Sequence, residues 1–471
     1  MGKIRSKILN IISEEFSVPE NEITEDIGPG DLTKWDSIGQ LRLIMALEKQ
    51  FNIQLTVDNV MSINNVRDIN KVITKFVKGR ERQSAVREEK VPISSVFHSV
   101  RVPSNTFWGK NSISVLKELD LDRIAVITGP SKYAEKIIEK TTSLFSEGTS
   151  LQTFQRPKGE PIEEAIIKLS SLLCKFSPRH IIAIGGGSTI DMAKLSWLLY
   201  EKPDFQLNNV DNSVINLKLR GKASFIAIPT TFGSGSEVSS AAAFTKTNDY
   251  RKSIMVSHDF IPDQVILDPL LGKSAEPKTI FSSAFDALTH AIEGYVSLVE
   301  HAMLEPVAVM AIKDIIQAMK KIISEGMSIE ALETLCYASY YAGIVQNHCS
   351  VGLTHSFAHQ LGHYGISHGI ANALFLALVI DYNARKTDKY NILAEEINYT
   401  SASDLVAELK LILSESSIIP RKDKLEIIVS AKTTIVSGAM EDITFRTNPV
   451  IMDKREVESV FDNAMENYLN G

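Results

Sequence analysis

The histidines of this chain are concentrated in one short segment. The chain has 10 His among 471 residues, and His355, His359, His363 and His368 all fall between Gly352 and Gly369. Upstream, Asp286 and His290 are four residues apart and share one face if that segment is helical. A carboxylate with several imidazoles is a donor set that suits Fe²⁺ or Zn²⁺. Neither segment contains a cysteine, which favours an open catalytic metal site over a closed structural zinc site.

A purely structural explanation accounts less well for these residues. An isolated histidine on an apolar helix is more often a core residue than a ligand, and one pair spaced by four residues arises by chance. The second segment differs because it carries four histidines and almost no Lys or Glu. It therefore does not match a solvated helix face, and a pure core would have to supply a hydrogen-bond partner to every imidazole.

Two runs, Phe285–Tyr295 and His355–Gly369, resemble the two signatures of the iron-containing (group III) alcohol dehydrogenases. The resemblance covers about residues 97–471 and is specific because both motifs occur in order. It implies an NAD(P)-dependent oxidoreductase that interconverts an alcohol and an aldehyde or ketone by hydride transfer. The metal ligands that it implies are Asp286, His290, His355 and His368.

The same resemblance implies the catalytic imidazoles. His359 would be the non-ligand imidazole that faces the nicotinamide, and the proton would leave through water by way of His359 or His363. The interval from His355 to His368 is one residue shorter than in the commonest members, and Ser367 replaces the usual Pro. A shift in register would make His363 the last ligand.

A second set of motifs predicts the nucleotide site. Apolar, β-branched runs alternate with helical patterns from residue 97 onward, which indicates a parallel sheet flanked by helices. Between one such strand and helix lie Gly185, Gly186, Gly187 and Ser188, where the backbone can approach a pyrophosphate. A tight turn that binds no ligand would explain these four residues about equally well.

Together with Asp191 and Lys194, this turn resembles the GGGSxxDxAK element of the same family, and the run Pro229–Glu237 resembles its second cofactor element. Phe232 and Ser234 depart from the usual residues. By resemblance, the cofactor contacts would include Asp191, Thr230, Thr231 and Ser236. Gly129 stands where NAD-selective members commonly carry Asp, a carboxylate that repels a 2′-phosphate. With Ser131 and Lys132 nearby, we expect NADP rather than NAD.

The first eighty residues form a separate pattern. Residues 3–16 are amphipathic at helical period, and a second helix is predicted to start at Ser37, which in isolation would be an ordinary capping serine. The window Asp36–Ile53 resembles acyl and peptidyl carrier proteins, and the resemblance covers residues 1–78. It implies 4′-phosphopantetheine on Ser37 and a phosphopantetheinyl transferase as partner. The carboxylates usual after the serine are missing here, which favours a dedicated partner over a general fatty-acid synthase.

These patterns predict a multidomain protein. We expect an all-α carrier-like bundle at 1–78, a polar linker at 79–96, an α/β Rossmann-like domain at 97–275 and an all-α metal-binding domain at 276–471. Within the last domain the helical pattern predicts helices at 304–325, 329–346, 370–383, 402–414 and 422–437. The substrate would be a free or carrier-tethered alcohol or aldehyde, and we expect a homo-oligomer. Two alternatives stay open: a dehydroquinate-synthase-like enzyme on the same scaffold, and a carrier protein with an inactive dehydrogenase.

Composition excludes other classes and indicates the compartment. The net charge of −7 gives no electrostatic basis for binding nucleic acid or an anionic membrane, and no apolar run reaches the length of a transmembrane helix. Cys174, Cys336 and Cys349 show no CxxC spacing, so we expect them to be buried thiols in a reducing cytoplasm.

Overall fold

The computed structural model describes most of the chain: residues 2–29, 31–32, 35, 37–51, 55, 63, 65–83, 99–130, 134–146, 148–207, 217–247, 252–299 and 301–470. It separates into two compact units, Met1–Ser99 and Val100–Gly471. None of the described helices is long and apolar enough to cross a membrane.

The first unit is helical, as predicted. Its α-helices are Gly2–Phe16, Ser37–Phe51 and Val66–Gln83, with a 3₁₀ turn at Glu20–Glu22. Its core is formed by apolar side chains from all three helices, including Ile8, Ile12, Leu43, Leu47, Ile69 and Ile73. The second helix begins at Ser37, but the Ser37 side chain lies outside the described residues. The third helix ends at Gln83, inside the predicted linker, and residues 84–98 lie outside the described residues.

The second unit contains a six-stranded parallel sheet. Its strands are β1 (Asn105–Trp108), β2 (Arg123–Thr128), β3 (Ser150–Gln155), β4 (His180–Gly185), β5 (Ser224–Pro229) and β8 (Gln264–Leu267), and β6 (Ala241–Thr245) pairs with β7 (Lys252–Val256) in a separate antiparallel ribbon. The order in the sheet is β1-β8-β5-β4-β2-β3. The chain steps from β2 outward to β3 and then returns to β4 on the other side of β2. Ligands of open α/β sheets bind at the carboxyl ends of such a reversal point.

The apolar strands are covered by helices. In the sheet half these are Ala134–Thr142, Glu163–Phe176 and Gly187–Glu201, with 3₁₀ turns Ser112–Lys117, His258–Phe260 and Pro269–Ser274. The rest of the unit is helical in its described part: Pro277–Val296, Glu305–Glu325, Ile329–Cys349, Leu353–Leu361, His368–Ala384, Lys389–Glu396, Ala402–Glu415, Lys422–Ser430, Lys432–Glu441 and Lys454–Asn470, with 3₁₀ turns Gly362–Tyr364 and Ile443–Thr447. Four of these match the predicted helical runs closely.

Two local expectations were wrong. The helix expected over 422–437 is broken at Ala431, where φ is −96° and ψ is 9°; buried positions continue at helical spacing on both sides, so the period alone could not show the break. Cys174 is exposed, whereas Cys336 and Cys349 are buried. Leu173 faces the core. Cys174 is the next residue and lies about 100° further around the helix, so its side chain points away from the core.

Candidate functional site

Three separate helices bring the predicted ligands together. Asp286 and His290 lie one turn apart on Pro277–Val296, His355 lies on Leu353–Leu361, and His368 is the first residue of His368–Ala384. Asp286 Oδ1 is 3.9 Å from His290 Nε2, 3.8 Å from His355 Nε2 and 3.4 Å from His368 Nε2. Ligand atoms of Asp286, His290 and His355 all lie within 4.8 Å of one another. His368 adds its Nε2 on the Asp286 side.

A buried carboxylate orients His355. Glu293 Oε2 lies 2.8 Å from His355 Nδ1, and the two Glu293 oxygens also accept from the backbone N–H of Gly352 and Thr354, at 2.8 and 2.6 Å. Glu293 thus holds the start of helix Leu353–Leu361 as well as the imidazole. Because Nδ1 donates to Glu293, the Nε2 lone pair of His355 is directed at the Asp286 side.

Two further groups hold the cluster in place. His290 Nδ1 lies 3.2 Å from the Gly233 carbonyl oxygen, so a loop of the nucleotide half orients a ligand of the helical half. Asn372 is fully buried and donates from Nδ2 to Asp286 Oδ1 at 2.7 Å. These partners leave the Nε2 atoms of His290 and His355 to face Asp286.

The other two histidines of the segment lie in different environments. His359 borders the cavity described below, donates from Nδ1 to Asp442 Oδ2 at 2.8 Å and stacks on the His368 ring at 5.3 Å. His363 is exposed on the turn Gly362–Tyr364 and is not among the residues that border the cavity. The structure therefore places His368, and not His363, beside Asp286.

Burial and charge set the protonation states. Burial lowers the pKa of His290 to about 4. Burial would also lower the pKa of His355, but its hydrogen bonds to Asp286 and Glu293 raise it to about 9. Burial favours the neutral form of Asp286, yet the charges of His368 and His290 hold its pKa below the usual value. The cluster thus contains an ionised Asp286 and a neutral His290, the protonation states in which both groups can bind a cation.

These observations fit a bound divalent ion. Ligand atoms about 2.1 Å from a tetrahedral centre lie about 3.4 Å apart, close to the separations found here. The donor set is one oxygen and up to three imidazole nitrogens, which suits Fe²⁺ or Zn²⁺. His368 Nδ1 has no hydrogen-bond partner among the described residues, whereas Nδ1 of His290 and of His355 each has one.

One cavity of about 330 Å³ connects this cluster to the glycine turn. Its walls include Gly187, Ser188, Asp191 and Ser236 from the predicted nucleotide motifs, and Asp286, His290, His355 and His368 at the other end. Gly185, Gly186, Thr230 and Thr231 do not border it. The ammonium-bearing Lys252 and the carboxylate-bearing Glu160 do.

Close packing defines the nucleotide end. A Cβ at Gly186 would lie 2.7 Å from Thr231 Oγ1, and one at Gly187 would lie 2.6 Å from Ser234 Oγ. Thr230 donates from its backbone N–H to the Gly185 carbonyl. The Pro229–Glu237 loop thus rests directly on the glycine turn, and both motifs form one surface.

The two charged residues of the first nucleotide motif are hydrogen-bonded within this end, where Lys194 is buried and Asp191 is partly buried. Asp191 Oδ2 accepts from the Ala243 backbone N–H at 3.1 Å, and Lys194 Nζ donates to the Ser239 and Ala241 carbonyls at 2.7 and 3.1 Å. Burial raises the pKa of Asp191, and Ser236 also bonds to its carboxylate. Asp191 and Lys194 therefore fasten β6 to the helix that follows the turn.

Two departures from the family pattern have structural explanations. The Phe232 ring is buried against Gly272, where an added Cβ would meet its edge at 2.4 Å, and Phe232 does not border the cavity. At Gly129 a Cβ would lie 3.0 Å from Thr189 Oγ1, so this position has little room for a larger side chain. Ser131 and Lys132 lie outside the described residues.

Sequence reasoning missed several residues of the site. The sequence could have indicated Glu293, because it is a charged residue in an apolar run and lies three positions after His290 on the same helix face. Asp442 and Asn372 had none, because they lie 83 and 86 residues from their partners His359 and Asp286. Gly233 contributes through its carbonyl oxygen, which no side-chain pattern reveals.

Comparison with known proteins agrees with this geometry. Residues 103–269 match the family "Iron-containing alcohol dehydrogenase", residues 280–465 match "Fe-containing alcohol dehydrogenase family, C-terminal", and residues 6–73 match "Phosphopantetheine attachment site". The NADPH-dependent butanol dehydrogenase of Clostridium saccharobutylicum is 31% identical over 77% of this chain and 96% of its own length. Aldehyde-alcohol dehydrogenase 2 of Entamoeba histolytica is 30% identical over 65% of this chain, which spans only 37% of that protein.

The structure of an iron-containing alcohol dehydrogenase from Thermococcus thioreducens matches 78% of this chain and 100% of its own, with a TM-score of 0.70 and 26% identity. The fold and site define a metal-dependent, nucleotide-binding oxidoreductase, and the chain belongs to the iron-containing alcohol dehydrogenases. It is an NAD(P)-dependent enzyme of alcohol and aldehyde interconversion, fused to a phosphopantetheine attachment domain. This membership disfavours the dehydroquinate-synthase-like alternative.

Proposed function

We propose that the reaction takes place where the cavity meets the histidine cluster, with Asp286, His290, His355 and His368 as metal ligands. We also propose that NADPH lies along the glycine turn and that the substrate is presented on the Ser37 arm. The observation that supports this proposal most directly is the cavity itself. It has the four proposed ligand residues at one end and Gly187 and Ser188 at the other, so a nucleotide and a substrate could meet beside these ligands.

When bound, the metal supplies Lewis acidity to the substrate oxygen and the nicotinamide supplies or accepts the hydride. The protein's own contribution is orientation. Glu293 and the Gly233 carbonyl fix the ring planes of His355 and His290, and Asn372 fixes the carboxylate of Asp286. Ligands held in this way need no rearrangement when the substrate arrives.

His359 is the group that we propose to move the proton. Its Nδ1 donates to Asp442, so Nε2 is the nitrogen available to the cavity. Asp442 is itself held by the backbone N–H and the hydroxyl of Thr444, at 2.9 and 2.8 Å. This arrangement fixes the tautomer and lets His359 Nε2 exchange a proton with the substrate oxygen or with water. His363, being exposed and outside the cavity lining, has no comparable support.

The carrier part of the proposal rests on the attachment domain and on the helix that begins at Ser37. Backbone N–H groups and the dipole at a helix start favour a phosphodiester. A phosphopantetheinyl transferase would attach the arm. A covalently tethered substrate would reach the cavity at a raised effective concentration.

Metal content tests the ligand assignment. His290→Ala and His368→Ala should each lose most bound iron or zinc, measured by elemental analysis of purified protein, because each removes one ligand of four. His363→Ala is the matched control, since it removes an exposed imidazole from the same segment, and it should keep full occupancy. Full occupancy in His290→Ala or His368→Ala, or metal loss in His363→Ala, would contradict the assignment.

Intact mass spectrometry tests the arm. A broad phosphopantetheinyl transferase with coenzyme A should add one arm to the parent and to the control Ser13→Ala, and none to Ser37→Ala. An unmodified parent would contradict the proposal that Ser37 carries a phosphopantetheine arm. If the modified parent and Ser37→Ala oxidise free small alcohols equally well and an arm-bound aldehyde is not reduced, the arm is real but does not deliver the substrate.

A further inference from the structure

Arg156 is the first residue after β3, and its guanidinium reaches over the reversal point of the sheet. Strands β2 and β3 are parallel and pair Thr128 with Gln155, so Arg156 follows directly beside Gly129. The Arg156 backbone N–H donates to the Thr128 carbonyl at 3.0 Å, and its side-chain Nε donates to Thr189 Oγ1 at 3.0 Å. Thr189 belongs to the helix that starts at the glycine turn. The guanidinium is therefore fixed between the ends of β2 and β4, where a dinucleotide crosses such a sheet.

The same contacts lie where the fold is expected to place the adenosine ribose. In Rossmann-like folds a carboxylate beside the adenosine ribose accepts its 2′-hydroxyl, and an arginine nearby accommodates a 2′-phosphate instead. Here Gly129 occupies the place where the resemblance puts that carboxylate, and Thr189 Oγ1 would lie 3.0 Å from any Cβ there. Position 129 therefore has no carboxylate to repel a 2′-phosphate, and the Arg156 guanidinium lies at the end of the neighbouring strand β3.

The donors of Arg156 are only partly used within the protein. Nε contacts Thr189, and Nη1 donates to the Pro157 and Gly159 carbonyls at 2.7 and 2.6 Å. Among the described residues, Nη2 has no hydrogen-bond partner and no carboxylate lies within salt-bridge distance of the guanidinium. The protein thus holds the guanidinium through Nε and Nη1, and the two N–H groups of Nη2 remain to donate charge-assisted hydrogen bonds to a phosphate.

We infer that Arg156 binds the 2′-phosphate of NADPH and sets the preference of this enzyme for NADPH over NADH. The inference rests on the proposed nucleotide site and adds to it the residue that distinguishes the two cofactors. Arg156 is a specificity residue here, because the group it contacts is remote from the hydride.

A purely structural role is the alternative, since Arg156 also closes the loop 157–159 on itself. The two roles differ in what they do to NADH. Loss of a loop clamp would disturb the common part of both nucleotides, whereas loss of a 2′-phosphate contact would weaken NADPH alone.

Fluorescence titration of both reduced nucleotides with the intact, metal-loaded protein tests the inference. The parent should bind NADPH more tightly than NADH. Arg156→Gln should weaken NADPH about 10- to 100-fold, as expected for a charge-assisted contact, and change NADH by no more than about threefold. Arg156→Lys should recover part of the NADPH affinity by keeping the charge. Lys158→Gln, which removes an exposed cation from the same loop, is the control and should change neither value. Calorimetry with 2′-AMP and 5′-AMP as probes should show the same selectivity, with 2′-AMP lost in Arg156→Gln.

Three results would overturn the inference: equal weakening of NADPH and NADH in Arg156→Gln, unchanged NADPH affinity in that variant, or a parent that prefers NADH. Circular dichroism and metal content check that the variant is folded, and if Arg156→Gln does not fold, the NADPH-to-NADH ratio of Arg156→Lys decides. If the parent binds neither nucleotide, the proposed function fails. If it binds both and Arg156→Gln alters neither, only this inference fails.

Discussion

The two ends of the cavity are constructed differently. At the metal end, side chains form the site, and several are oriented by a second side chain, as His355 is by Glu293 and His359 by Asp442. At the nucleotide end, the backbone of the glycine turn forms part of the wall, and a side chain at Gly186 or Gly187 is excluded because Thr231 and Ser234 fill the space beside them. A substitution at the metal end can therefore remove a single hydrogen bond. A substitution of Gly186 or Gly187 also displaces the neighbouring side chains that pack against the turn.

This contrast limits what a glycine substitution can reveal. Gly186→Val is an obvious test of pyrophosphate binding, but its Cβ would lie 2.7 Å from Thr231 Oγ1 within the protein itself. Loss of nucleotide binding in that variant would follow from disturbed packing as well as from a blocked phosphate. Tests at this end need side chains such as Arg156, which can be changed without filling the turn.

Removal of the metal should separate the two ends most strongly. Dialysis against a chelator should reduce turnover by more than about 10³-fold, because Lewis-acid stabilisation of several kcal/mol is lost, while the Kd for NADPH stays within about threefold. Steady-state kinetics and nucleotide titration on the same sample measure both quantities, and added Fe²⁺ or Zn²⁺ should restore turnover. Full turnover in metal-free protein would show that the histidine cluster is not the reaction site.

Helix packing at the metal end should show the next largest effect. A Cβ at Gly369, beside the ligand His368, would lie 2.0 Å from the Ser282 carbonyl oxygen, whereas Gly362 has nothing within 4 Å. Gly369→Ala should lower the free energy of unfolding by about 2–4 kcal/mol, because backbone cannot move aside easily. Gly362→Ala should change it by less than about 1 kcal/mol. Thermal or urea unfolding of the two variants measures this difference. Equal stability of the two variants would contradict the close contact between Gly369 and Ser282.

The carboxylates behind the imidazoles should have separable effects. Glu293→Gln should weaken metal affinity about 10- to 100-fold, because the partner of a ligand is lost. Asp442→Asn should leave metal affinity nearly unchanged and lower kcat about tenfold or more, because it disturbs the proposed proton carrier. Metal titration and steady-state kinetics on both variants test this division. Metal loss in Asp442→Asn with normal turnover in Glu293→Gln would reverse the assignment.

A pH effect on stability should arise from the buried charges behind the nucleotide end. Burial raises the pKa of Glu237 from 4.5 to about 7, so the folded protein keeps this proton to a higher pH than the unfolded chain does. Burial lowers the pKa of Lys194 to about 8, and it stays protonated over the same window. The Glu237 contribution to the free energy of unfolding therefore falls as the pH rises from 4.5 to 7.

Glu237→Gln tests this prediction. The stability of the parent relative to the variant should decline by about 1–3 kcal/mol across that window, measured by urea unfolding at several pH values. A difference that is flat or that increases with pH would mean that Glu237 is ionised in the folded protein below pH 7.

Local patterns predicted much of the secondary structure. The runs 304–325 and 402–414 match the helices Glu305–Glu325 and Ala402–Glu415 because helical period and end signals are contained within each segment. The break at Ala431 was missed because the apolar period continues through it. The exposure of Cys174 was missed because composition does not say which helix face a thiol occupies.

The motifs also predicted which residues would assemble, since Asp286, His290, His355 and His368 do lie together. Spacing alone places only pairs on a common face, and the resemblance to a known family supplied the rest. Their individual roles, like those of the glycine turn and Ser37, stay predictions until the metal, nucleotide and arm are measured.

The sequence alone determined the family, the carrier fusion and the chemical types of the ligands, because each depends on residues close together in the chain. Only the tertiary structure decided which groups orient the candidate ligands and which side chains lie beside the glycine turn. Glu293 meets His355 across 62 residues, and Arg156 meets Thr189 across 33. Such contacts form when helices pack and parallel strands align their ends, and no local period in the sequence encodes them.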